Sequence, residues 1–291
     1  MAIIEIKNLK KSYGKNIGTW DVSFSVEKGE LFGFVGPNGA GKSTTIKSLL
    51  GFIFPEGGSA FIEGLDAYRE SKKIKEITGY VPSDVNLYSD MSIAGLLHWN
   101  GCFFNREEYR NEAERLCVLL ELDTSKRFSQ LSTGNRKKAA IVCAMASKPA
   151  IIILDEPTNG LDPIAQKKLF LELKKQTADG VTVLLSSHNL AEVQEYCDRV
   201  AFIKDGKILA VTDLKEIHPN KIITVTGGHL EAVNDLDIIS RDEEKCAFRH
   251  NGSSAELIEL LGKINPDDFT AQTESIEEQF MSMYGRGEVQ K

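Results

Sequence analysis

Long apolar runs are missing from the sequence. The longest uninterrupted one, AAIVCAMA at 139–146, falls well short of the roughly 18 residues that a membrane-spanning helix needs. The N-terminal MAIIEIKNLKK does not fit a secretory signal either, because Glu5 interrupts its short apolar segment. The sequence therefore predicts a soluble protein that does not itself cross a bilayer.

Blocks of positive charge are equally scarce. The chain has 35 Lys and Arg against 42 Asp and Glu, and its longest basic run is RKK at 136–138. This balance argues against a broad surface for nucleic acid or anionic lipid, although it leaves room for a local contact. The run itself either adds long-range attraction for an anion or forms the solvated face of a helix.

Paired cysteines are absent as well. The five Cys residues are scattered, odd in number and without a CxxC pair. Reduced, buried thiols of a cytosolic protein are therefore expected rather than disulfides.

Apolar runs of strand length define the expected core. LFGFVG at 31–36, AIIILD at 150–155 and VTVLLS at 181–186 are continuous, which is typical of strands buried on both faces of a parallel sheet. AIIEIK at 2–7 and DVSFSVE at 21–27 instead alternate apolar and polar residues, which predicts strands of a half-covered sheet. An α/β fold with a parallel central sheet and an N-terminal β-subdomain follows.

Helical spacing dominates about 84–148 and predicts a mainly helical insert in the α/β core. Later the pattern changes to a strand-like KIITVT, a polar region, further helical spacing and a last amphipathic set at 276–284. We therefore expect a main domain over 1–220 and a small α+β accessory domain, without chemistry of its own, over 221–291.

The stretch GPNGAGKST fits the pattern G-x-x-x-x-G-K-[ST], with a strand-like run before it and a helix-like run after it. Glycines let main-chain N–H groups turn inward around phosphates, and the start of the following helix adds partial positive charge. Lysine reaches the terminal phosphates, and the serine hydroxyl completes a Mg²⁺ shell. The predicted phosphate-binding residues are Gly36, Pro37, Asn38, Gly39, Ala40, Gly41, Lys42, Ser43 and Thr44.

Two carboxylates end a buried strand in IIILDEP. Asp155 suits the metal shell and Glu156 the attacking water, because the carboxyl edge of such a sheet is where α/β folds bind ligands. LLSSH ends another buried strand in His188, whose imidazole either contacts the terminal phosphate or the water, or is merely structural.

Five motifs, GPNGAGKST, LSTGNRKK, IIILDEP, NGLD and SSH, occur in this order over about 1–215. In this combination the chain resembles the ATP-binding-cassette (ABC) ATPases, within the P-loop NTPase class. The resemblance implies an N-terminal antiparallel β-subdomain, and a helical insert that carries the signature motif LSTGN. It also implies that two cassettes pack head to tail, with each ATP between the P-loop of one and the signature of the other.

The resemblance also assigns roles to single residues. Ser132, Gly134 and Asn135 contact the γ-phosphate that Lys42 of the partner binds, and Asp162 lies at the dimer seam. Tyr13 matches the position whose aromatic ring stacks on adenine, with a simple packing tyrosine as the alternative. His188 becomes a switch residue that contacts the γ-phosphate, so that the expected catalytic residues are Glu156, His188 and Lys42.

Two departures from the family's pattern stand out. Ser83 occupies the position where the family usually has a Gln that helps to coordinate Mg²⁺, so a shorter hydroxyl completes the expected metal set of Ser43, Asp155 and Ser83. Asp84 is the alternative donor. Thr133 and Asn135 replace the usual Gly and Gln of the signature, which keeps donors near the phosphate.

The resemblance implies an ATPase with ATP and Mg²⁺ as cofactors, peripheral at the cytoplasmic face of the cell membrane. Its partners are then separate permease chains and a second cassette, a homodimer being the expected form. The tail ESIEEQFMSMYG is similar to the prokaryotic export branch that serves multidrug, antibiotic and ion efflux. The alternatives are a soluble ABC ATPase acting on ribosomes or DNA, and a regulatory cassette paired with a different catalytic one.

Overall fold

The computed structural model describes residues 2–14, 17–86, 90–214, 220–233 and 236–274. Two compact units divide the chain, Met1–Leu214 and Lys215–Lys291. The expected amphipathic set at 276–284 and the export-like tail lie outside the described residues.

The first unit contains ten strands and seven α-helices among its described residues. The strands are β1 (Ala2–Ser12), β2 (Gly18–Glu27), β3 (Leu31–Val35), β4 (Gly57–Ile62), β5 (Leu65–Asp66), β6 (Thr78–Val81), β7 (Ile151–Asp155), β8 (Thr182–Ser187), β9 (Arg199–Lys204) and β10 (Lys207–Asp213). The helices are α1 (Lys42–Leu49), α2 (Ser71–Ile77), α3 (Ile93–Gly101), α4 (Arg106–Leu119), α5 (Thr133–Ala146), α6 (Pro163–Ala178) and α7 (Leu190–Tyr196).

All ten strands form one mixed sheet in the order β5-β4-β1-β2-β10-β9-β3-β8-β7-β6. The half that runs from β9 to β6 is parallel, whereas β1 pairs antiparallel with both β2 and β4. Every residue of β3, β7 and β8 is buried, as the continuous apolar runs predict. The parallel register brings the carboxyl ends of these three strands to one edge of the sheet, where the motifs follow.

Helices α3, α4 and α5 form the predicted helical insert between β6 and β7. Arg115 on α4 connects the insert to the core, because its guanidinium contacts both carboxylate oxygens of Glu172 on α6, at 3.1 Å and 2.5 Å. Glu112 binds the same guanidinium at 2.6 Å from the preceding turn of α4. This two-carboxylate clamp fixes the insert to the helix that follows NGLD.

The second unit is a small α+β structure. Its strands are β11 (Lys221–Thr226), β12 (Asp237–Arg241), β13 (Lys245–His250) and β14 (Asp268–Thr273), paired antiparallel in the order β12-β13-β11-β14, and its helix is α8 (Ser254–Ile264). Ile223, Val225, Phe248 and Leu257 belong to its own buried apolar cluster. Ser253 and Glu256 start α8 with a reciprocal capping box.

None of the helices in the described ranges combines the length and apolarity that a transmembrane span requires.

Candidate functional site

The phosphate-binding loop connects β3 to α1 at the carboxyl edge of the sheet. Gly41, the residue before α1, has a φ of +107°, a conformation that a residue with a Cβ rarely adopts. Lys42 is buried and folds back over the loop, where its Nζ donates to the carbonyl oxygens of Gly36 at 2.6 Å and Pro37 at 3.2 Å. The predicted loop residues therefore form one compact turn with the lysine amine inside it.

Asp155 is the last residue of β7, Glu156 follows it, and both are buried. Ser186 at the end of β8 joins them: its hydroxyl donates to Asp155 Oδ1 at 2.6 Å and accepts from the Glu156 N–H at 3.0 Å. Sequence reasoning missed Ser186, although it precedes His188 by two residues in the motif SSH. The second Asp155 oxygen, Oδ2, is buried without a hydrogen-bond partner among the described residues.

Glu156 is the point at which the predicted catalytic residues meet. Its Oε1 lies 3.0 Å from Lys42 Nζ, and its Oε2 lies 2.7 Å from His188 Nδ1. Its φ of +49° lies in the left-handed region, which costs a residue with a side chain on the order of 1 kcal/mol. A strained main chain that aims a buried carboxylate at a lysine and a histidine is typical of an active site.

The signature segment forms the start of α5. Ser132 caps this helix, accepting from the Asn135 N–H at 3.3 Å. Gly134 packs so closely on the turn before α6 that an added Cβ would overlap the carbonyl oxygen of Gly160. Within the described ranges, no hydrogen bond or ion pair connects Ser132, Gly134 or Asn135 to the phosphate-binding loop of the same chain.

Asp162 caps α6 and is exposed. Its Oδ1 accepts from the Ala165 N–H at 2.9 Å, and its Oδ2 lies 3.4 Å from Lys138 Nζ. The hydrogen bond from Ala165, helped by the positive charge of Lys138, lowers the pKa of Asp162. The residue is therefore a fixed negative charge beside the signature helix.

Tyr13 lies just after β1, and its side chain is exposed. The residue is 52% exposed, and Lys11 Nζ lies 5.6 Å from its ring centroid. An exposed ring beside an ammonium group suits stacking on a base better than packing in a core.

Ser83 follows β6, and a lysine of the signature helix holds its main chain. Lys137 Nζ donates to the carbonyl oxygens of Pro82 at 2.9 Å and Ser83 at 2.6 Å.

Lys137 and Lys138 are both buried, so the interpretation of RKK as a solvated helix face is wrong for these two residues. Helical spacing could have predicted that Lys137 is buried. It is three residues after Gly134 and four before Ile141, and both of these residues are buried on the same face of α5.

Comparison with known sequences places this chain in a family. A family model described as ABC transporter matches residues 20–159. The probable multidrug ABC transporter ATP-binding protein of Escherichia coli K12 is 35% identical over 212 residues, which are 72% of this chain but only 36% of that protein. The Nod factor export ATP-binding protein I of Burkholderia orbicola AU 1054 is 30% identical over 278 residues, covering 94% of this chain and 90% of that protein.

Comparison with solved structures agrees with this family assignment. A dimeric ATP-binding cassette in a post-hydrolysis state, bound to ADP and Pi, superposes with a TM-score of 0.67 at 26% identity, covering 74% of this chain and 100% of that chain. The predicted fold class and the family resemblance are thus confirmed. The chain belongs to the family of ABC transporter ATP-binding proteins and is an ABC ATPase.

Proposed function

We propose that this chain binds and hydrolyses ATP as the energy-coupling subunit of an exporter, dimerising around two ATP molecules and acting through separate permease chains. The convergence of Lys42 and His188 on the buried carboxylate of Glu156 is the observation that carries the proposal. The dimer, the permease and the export direction extend the family assignment.

ATP binding changes the partner of Lys42. In the structure its amine lies 3.0 Å from Glu156 Oε1 and donates to two loop carbonyl oxygens. A γ-phosphate in the loop competes for this amine, which releases Glu156 to act as the general base. Water then attacks the γ-phosphorus and gives its proton to Glu156, while the bond to the β,γ-bridging oxygen breaks to yield ADP and phosphate.

The carboxyl edge of the sheet carries donors that fit Mg²⁺. Asp155 Oδ2 is a buried carboxylate oxygen with no hydrogen-bond partner in the described part of the chain, and Ser43 lies half-buried in the first turn of α1. Ser43 and Asp155 would hold the ion, and Ser83 completes the proposed set. When bound, Mg²⁺ neutralises charge on the phosphate oxygens.

The position of the signature supports the proposed dimer. Ser132 and Asn135 stand at the start of a helix, where N–H groups favour an anion, yet among the described residues no hydrogen bond or ion pair joins them to their own phosphate-binding loop. We assign them to the γ-phosphate held by Lys42 of a second cassette, with Asp162 at the seam. The solved cassette that superposes on this chain is dimeric and holds ADP and Pi.

The permease contact is assigned to the helical insert near Ser83. Trp99 and Phe103 near the end of α3 pack edge to face, with ring centroids 5.2 Å apart, although they are 51% and 68% exposed. An exposed aromatic pair is typical of a surface that a partner covers.

The relatives' names, multidrug transporter and Nod factor export, support the export direction and hence a place at the cytoplasmic face of the membrane. Residues 221–291 remain the proposed accessory domain.

The partner is tested by purification from detergent-solubilised membranes. The tagged chain is expected to bring down a multi-span membrane protein, and changing Trp99 and Phe103 together to Ser should remove that protein while the isolated chain keeps its ATP turnover. Recovery of ribosomes or DNA instead would contradict the transporter assignment and favour a soluble ABC ATPase.

Tyr13 provides a test of base stacking. Loss of one aromatic–base contact costs about 1–3 kcal/mol, so Tyr13→Ala should raise the apparent KM for ATP roughly 5- to 150-fold with little change in kcat. Tyr13→Phe keeps the ring and should remain close to the parent. Equal KM values for all three proteins would contradict a role of Tyr13 in base stacking.

A further inference from the structure

Lys137 is a buried cation that the proposed chemistry does not use. It is 1% exposed, which is rare for lysine unless the ammonium group is fully paired. The amine comes from the second turn of α5 and binds two consecutive carbonyl oxygens, those of Pro82 and Ser83. Two segments more than 50 residues apart in sequence are thus joined through one side chain.

The surroundings of the Lys137 amine connect it to the active site. Burial lowers its pKa, and the negative charges of Asp155, Asp84 and Glu156 oppose that shift. The same helix contacts two further site segments: Gly134 packs on Gly160, and Lys138 pairs with Asp162. The first two turns of α5 therefore touch the segment after β6 and the loop before α6 together.

We propose that Lys137 is a positioning residue that couples the signature helix to the Ser83 segment of the same chain. This inference rests on the proposed function, in which Ser132 at the start of α5 serves the partner's ATP while Ser83 and Asp155 serve the chain's own. The two hydrogen bonds of the ammonium group make the start of α5 and the Ser83 main chain move as one body. When the signature of this chain engages the partner's ATP, the movement is thereby transmitted to the chain's own ATP site.

Hydrogen bonding rather than positive charge carries this coupling, because both acceptors are main-chain carbonyls at 2.9 Å and 2.6 Å. Lys137→Met keeps the length of the side chain but has no donor, whereas Lys137→Gln is neutral and keeps two N–H donors. Lys167→Met makes the same change at an exposed position of α6 and serves as the matched control.

The experiment compares steady-state ATP turnover, ATP binding, thermal unfolding and hydrogen exchange of residues 83–86 in the full-length chain and the three variants. Since small misplacements at an active site cost one to two orders of magnitude, Lys137→Met should lower kcat about 10-fold or more with an ATP KM close to that of the parent. Exchange of residues 83–86 should be faster in this variant. Lys137→Gln should recover most of both properties, and Lys167→Met should match the parent.

Three results would overturn the proposal: parent-like turnover and exchange in Lys137→Met, equal impairment of the Met and Gln variants, or loss of ATP binding together with a collapse of the melting temperature. If the parent chain itself hydrolysed no ATP, the proposed function would fail instead. Hydrogen exchange of residues 83–86 without nucleotide would still decide whether Lys137 holds that segment.

Discussion

Replacing Glu156 by Gln is expected to lower ATP turnover by about 100-fold or more while ATP still binds to the Lys42 loop. An amide of the same shape cannot accept the proton of the attacking water, and general-base catalysis contributes about 10²–10⁴-fold. The variant also loses the ion pair between Lys42 Nζ and Glu156 Oε1, 3.0 Å apart, which competes with the phosphate for Lys42. We therefore expect its affinity for ATP to equal or exceed that of the parent.

The measurement pairs single-turnover hydrolysis with equilibrium binding of ATP. Glu107→Gln on the exposed face of α4 makes the same chemical change away from the site and should behave like the parent. A Glu156→Gln protein that hydrolyses ATP as fast as the parent would defeat the assignment of the general base.

Replacing Ser132 by Arg is expected to abolish both ATP-driven dimerisation and turnover while ATP binding to the chain's own loop stays largely intact. Arginine cannot cap α5, and its long side chain fills the space in front of the helix start that the proposal assigns to the partner's γ-phosphate. Because no hydrogen bond or ion pair of the described residues joins Ser132 to the Lys42 loop, nucleotide binding by one chain has no reason to fail.

Ser132→Ala separates the lost cap from the blocked surface. The cap alone is worth about 1 kcal/mol, so this variant should melt slightly below the parent and dimerise weakly with ATP, at a much reduced turnover. Size-exclusion chromatography with and without ATP distinguishes the two variants. If Ser132→Arg lost ATP binding yet kept its dimer, the proposed place of the signature at the partner's site would be wrong.

The sequence predicts best those parts of the site that are contiguous. The turn from Gly36 to Lys42, and the carboxylates Asp155 and Glu156 at the end of a buried strand, have local geometry that a short motif determines. The continuous apolar runs likewise predict β3, β7 and β8, because only strands covered on both faces can be apolar throughout.

Contacts between distant segments were the part that the sequence did not predict. The Ser186 hydroxyl reaches Asp155 only because β7 and β8 pair in one particular register, in which Asp155 is opposite Ser186. The sequence alone places Lys137 in a basic run typical of a surface. Only the packing of α5 on the Ser83 segment shows that it is buried. The contact between Gly134 and Gly160 likewise cannot be predicted from the spacing of residues in the sequence.

The central claim, that each ATP site combines the base of one chain with the signature of another, is tested most directly by mixing two defective proteins. Glu156→Gln keeps its signature and Ser132→Ala keeps its base, so a dimer of one of each has a single site in which both are intact. At equal amounts, about half the dimers are mixed, and turnover should rise to as much as roughly a quarter of the parent value. Turnover equal to the average of the two separate proteins would contradict the account.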